Sequence, residues 1–90
     1  MAGMELRVDE ARRIGLALGI EWEKVAFDVE EYRVGIQAEL EHAHQDPARI
    51  TDEDELAAFR TALEELTKCP DHYRRLEQRE AELRAYAESL

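Results

Sequence analysis

Phe27-Asp28-Val29-Glu30-Glu31-Tyr32-Arg33-Val34-Gly35-Ile36-Gln37-Ala38-Glu39-Leu40-Glu41-His42-Ala43 is the stretch that decides the fold. Val29, Tyr32, Ile36, Leu40 and Ala43 recur at threes and fours, which puts them on one face of an α-helix. Asp28 stands just before that stripe, where its carboxylate can accept the backbone N–H of Glu31 while Glu31 reaches back in capping-box fashion. Phe27 before the cap and Tyr32 after it are placed to form a hydrophobic staple. Gln45, Asp46 and Pro47 end the helix, because proline disfavours helical backbone in the residue before it.

Both flanks repeat the pattern. Upstream, Val8, Ala11, Ile14, Gly15 and Leu18 share one face, and Gly19 follows as a C-terminal stop. Ile20 and Trp22 then sit in a short connector that they should pin to the core. Downstream, Thr51 caps a third helix with Asp54 as its box partner. Asp52, Glu53, Asp54 and Glu55 crowd its first turn, where the helix dipole favours negative charge. Its expected stripe is Leu56, Phe59, Leu63 and Leu66, and Lys68 lies four residues after Glu64. Cys69-Pro70-Asp71 breaks that helix and opens a fourth, with an expected stripe of Tyr73, Leu76, Leu83, Ala87 and Leu90. Glu80 interrupts this stripe. No strand-like alternation or internal repeat is present. The expectation is a single all-α domain over residues 1–90, a small four-helix bundle with helices near 9–18, 29–44, 52–68 and 71–88.

Composition narrows the function classes. Charged residues make up 38% of the 90-residue chain against a usual quarter, which suits amphipathic helices with solvated outer faces. The net charge is −10, and Asp28 to Thr67 holds twelve acids against three bases. Such a surface repels phosphate, which argues against direct binding to nucleic acid or to an anionic membrane. Cys69 is the single cysteine, so no internal disulfide can form and no oxidising compartment is needed. No apolar run reaches membrane-spanning length. Glu5, Arg7, Asp9 and Glu10 break any signal-like apolar segment, so a cytoplasmic location is the default.

Few residues promise chemistry. Glu39 and His42 have the Glu-x-x-His spacing of carboxylate-bridged metal sites in bundles, and Gly35, one turn earlier, leaves room beside Glu39. Glu80 is the best further ligand for a divalent metal; His72, Asp46 and Glu65 are weaker ones. One such motif is half of a di-metal site, so the chain would have to dimerise to present two. The structural alternative is a hydrogen bond or salt bridge from Glu39 or His42 at the core edge. For Glu80 it is an ion pair with Arg84, Arg33 or Arg12. Tyr73, Glu80 and Ala87 share one heptad position and Leu76, Leu83 and Leu90 another, as in a coiled-coil seam with a polar residue fixing register. Packing inside the monomer explains the same spacing. Lys68 and the start of the last helix would lower the Cys69 thiol pKa, whereas a partly buried cysteine would be inert. Catalytic nucleophile constellations, glycine-rich phosphate loops and zinc-type clusters are absent.

Phe27-Asp28-Val29-Glu30-Glu31-Tyr32-Arg33 with Gly35 and Glu39-Leu40-Glu41-His42 resembles a small bacterial and archaeal domain family of unknown function. Asp46-Pro47, Ile50-Thr51-Asp52, Asp54, Pro70-Asp71, Tyr73 and Leu76 resemble its later segments, and Ala11, Ile14-Gly15 and Leu18-Gly19-Ile20 its first. The resemblance implies a fold and no activity. It also implies His where this chain has Glu65, and an aromatic where it has His72. The sequence thus supports a non-enzymatic module that binds another protein or itself. The alternative is a metal-binding protein using Glu39, His42 and Glu80. An acidic decoy for a nucleic-acid-binding protein is a third reading.

Overall fold

The computed structural model describes residues 6–44 and 46–90. Gln45, one of the three expected helix-ending residues, and Glu5 of the N-terminal segment lie outside them. The elements are α1 (Val8–Ala17), α2 (Val29–Ala43), a 3-10 turn at Pro47–Arg49, α3 (Asp52–Lys68) and α4 (His72–Glu88). There is no strand among the described residues. No helix there is long and apolar enough to cross a membrane.

The helix starts follow the capping chemistry. Asp28 Oδ1 accepts the Glu31 N–H at 2.8 Å, and Glu31 Oε1 accepts the Asp28 N–H at 3.3 Å. Thr51 Oγ1 and Asp54 Oδ2 make the same reciprocal pair at 3.1 and 3.0 Å. The bond from the Thr51 backbone N–H, helped by the Thr51 hydroxyl and by nearby His44, holds the Asp54 carboxyl below its ordinary pKa. α1 stops because Gly19 adopts φ +93°, a backbone that a Cβ disfavours.

The core forms where α2 meets α1 and α3. Tyr32 and Ile36 are fully buried on α2, with Leu40 beside them. Trp22 lies 5.9 Å from Phe27 and 5.8 Å from Tyr32 between ring centroids, and its Nε1–H donates to the Arg12 carbonyl at 3.1 Å. The connector is therefore anchored, and the Phe27–Tyr32 staple forms with centroids 6.4 Å apart. The Tyr32 hydroxyl donates to the Phe59 carbonyl at 2.9 Å, tying α2 to α3. Tyr32→Phe should cost about 1 kcal/mol, the net worth of one such bond, read from a urea melt. A loss above about 3 kcal/mol would mean the ring itself had moved.

All four expected stripes are corrected, the first two only at one end, where Val8 of α1 and Ala43 of α2 are exposed. α3 buries Ala58, Ala62 and Leu66, not Leu56, which is exposed; Phe59 and Leu63 pack from the flanks. The buried face of α3 is thus built largely of small residues, and the larger Phe59 and Leu63 lie at its margins. α4 buries Tyr73 alone. Leu76, Leu83 and Leu90 are 40%, 62% and 90% exposed, and Ala87 is exposed too. Packing within the monomer therefore does not account for the heptad spacing. Leu90 lies just beyond the helix, which stops at Glu88. The bundle is closed at one end and open where α4 leaves it. A radius of gyration of 14.1 Å reflects this, since a compact chain of this length has one of about 12 Å.

Candidate functional site: the groove between α2 and α4

α4 is held to α2 by its first turn. Gly35 lacks a side chain, and the Tyr73 ring lies directly on its Cα. A Cβ built at Gly35 would meet Tyr73 Cε2 at 2.6 Å and Cδ2 at 2.8 Å. The room expected beside Glu39 is thus occupied by Tyr73. The ring carries its hydroxyl to Glu39, donating to Oε2 at 2.7 Å. Burial, then this carboxylate, push the Tyr73 pKa upward, so the hydroxyl stays protonated and remains a donor. Arg74 adds an ion pair to Glu31 at 3.1 Å.

Beyond that turn the two helices part. The gap is an open groove of about 640 Å³, with Val34, Ala38 and Leu76 as apolar lining and Glu39, Glu41, His42, Glu77 and Glu80 as polar lining. Arg33 also lines it and is paired with Glu30. The three residues singled out as metal ligands, Glu39, His42 and Glu80, therefore share one groove. Glu39 is half-buried and hydrogen-bonded, whereas His42 and Glu80 are exposed. Among the described residues no group of three His, Cys, Asp or Glu side chains is placed to hold one ion. Glu80 forms no ion pair there either, although Arg84 is four residues on, and the closest link between an acid of α4 and Arg33 is the electrostatic pull of Glu77.

The weaker ligand candidates lie elsewhere. Glu65 and His72 face each other at 3.7 Å. Asp46 accepts the Ala48 N–H at 3.0 Å within the 3-10 turn. Cys69 is the reverse of a reactive thiol. Its Sγ–H donates to Asp71 Oδ1 at 3.0 Å, and that bond, followed by burial, raises the thiol pKa. At pH 7–8 Cys69 should alkylate more slowly than a cysteine in an unfolded peptide, and Asp71→Asn should speed it up. Equal rates in all three would contradict this reading.

The residue that sequence reasoning missed is Tyr73, placed among core positions rather than in the site. Its signal was a glycine on the buried face of one helix and a lone aromatic opening another.

A family model described as "Protein of unknown function (DUF5661)" matches residues 11–82, and the chain belongs to that family. No curated protein and no solved structure matches it. The matched span stops inside α4, so Leu83, Tyr86 and Leu90 lie beyond it.

Proposed function

We propose that this member of the DUF5661 family is a non-enzymatic interaction module, whose working surface is the exposed face of α4 with the groove beside it. One observation carries the reading. From Arg74 onward every residue of α4 is exposed, yet Leu76 and Leu83 keep heptad spacing on one face. Without tertiary packing a helical segment of this length is only marginally stable in water. A partner on that face would bury the leucines and hold the helix. Each exposed leucine so covered contributes on the order of 1–2 kcal/mol.

The test is photo-crosslinking in cells, with a photoreactive phenylalanine analogue at Leu83 and, as the control, at Gln78 on the opposite face. The reading expects a discrete protein adduct from position 83 and none from 78. No adduct from 83, or equal smears from both, would overturn it.

A second reading uses the same groove, because Glu39, His42 and Glu80 all line it. A divalent cation would draw α2 and α4 together there or take donors from a second copy. His42→Ala should then lower the zinc or manganese retained on dialysis. Unchanged metal content and unchanged melting temperature would exclude it.

A further inference from the structure

We propose that the occupant of the α4 face is a second copy of this chain, paired antiparallel through α4. This rests on the reading of that face as a protein-binding surface. Charge and register both select the arrangement. In α4 four arginines balance four glutamates, so the net charge of −10 lies outside this helix. The helix thus carries no excess of acid to hold two copies apart, and the pairing of individual charges decides the orientation.

Consider the two orientations. In a parallel in-register pair Glu80 faces the partner's Glu80, and Arg79 lies beside the partner's Arg84. Both contacts are repulsive. The two acidic bodies would also sit side by side at one end. In an antiparallel pair that sets Glu80 opposite the partner's Leu83, Leu76 meets the partner's Ala87. Arg84 of each copy then comes against Glu77 and Glu80 of the other. Arg84 has no ion-pair partner among the described residues, and the groove holding Glu77 and Glu80 is predominantly acidic. The two bodies now stand at opposite ends. Each copy's distal α4 runs into the other's α2–α4 groove, over Val34, Ala38 and Leu76. The contact is self-complementary, as a two-fold dimer requires. Helical contact from Leu76 to Glu88 is only about 20 Å long. That is short against the area of stable interfaces, so the dimer is weak and concentration-dependent.

The test is sedimentation velocity over a dilution series from about 1 mM to about 1 μM, with wild type, Glu77→Arg, Arg84→Glu and the double variant. Wild type should shift from dimer to monomer on dilution. Each single reversal should weaken the dimer about tenfold, since two symmetric pairs change from attraction to repulsion, and the double variant should recover wild-type association. A tighter dimer for Arg84→Glu would mean parallel pairing and would overturn the antiparallel arrangement. All four proteins monomeric throughout would overturn the second copy as occupant. In that case a crosslink from position 83 to a different protein would leave the interaction surface standing, and its absence would remove both. Circular dichroism of each variant confirms that the monomer is folded. All the substituted side chains are exposed, so folding should be unaffected.

Discussion

Tyr73→Ala should lower the stability of the protein by about 3–4 kcal/mol, the usual cost of removing a buried aromatic. Tyr73 is 3% exposed and is the only buried residue of α4. Its loss removes the ring from Gly35 and leaves the half-buried Glu39 carboxylate without its donor. In a domain of this size that is a large share of the total stability, and the melting temperature should fall by about 15 °C or more. Tyr73→Phe separates the two contributions. It keeps the ring, loses the bond to the Glu39 carboxylate and should cost about 1.5–2 kcal/mol. Equal losses for the two variants would show that the ring packing contributes nothing.

Gly35→Ala is the second large effect. Alanine is the better helix former by about 1 kcal/mol, so on propensity alone the substitution should stabilise α2. The structure predicts the opposite sign. The new Cβ would stand 2.6 Å from a Tyr73 ring carbon, and the ring is too enclosed to give way cheaply. Overpacking of this kind costs about 1–3 kcal/mol and should exceed the propensity gain. The readout is a urea melt beside hydrogen exchange in α4, which should accelerate as its docked turn loosens. A variant more stable than wild type would mean that Tyr73 does not rest on Gly35. With Tyr73→Ala as background the substitution should become neutral or stabilising, the non-additivity expected of two groups in contact.

Much of the fold was legible because local chemistry fixes helix starts. Asp28 with Glu31 and Thr51 with Asp54 each cap as their spacing implies. Gly19 ends α1 because the chain there needs a left-handed residue. Most of the α2 stripe was legible as well, since Val29, Tyr32, Ile36 and Leu40 are buried whichever neighbour covers them, while Ala43 at its end is exposed. Periodicity reports which residues favour burial and is silent about what buries them. That is why α3 turned out to bury Ala58 and Ala62, with Leu56 left exposed. It is also why the α4 heptads could not be assigned to the monomer or to a partner from spacing alone.

The groove was partly legible. Glu39, His42 and Glu80 were picked for their residue types, and the structure brings them to one groove without gathering them around a point. Helix geometry gives the reason. Positions three apart differ by about 60° around the axis. Glu39 therefore turns toward Tyr73 while His42 turns outward. The contact that positions α4, Tyr73 on Gly35, spans two helices and has no local signature.

Hydrogen exchange along α4 at several protein concentrations tests the central claim most directly. If two copies pair through this helix, the amides of residues 79–88 should be weakly protected in dilute protein. Their protection should rise with concentration, while the amides around Tyr32 and Ile36 keep the same protection throughout. Protection in the distal part of α4 that is the same at every concentration would contradict self-association through this helix.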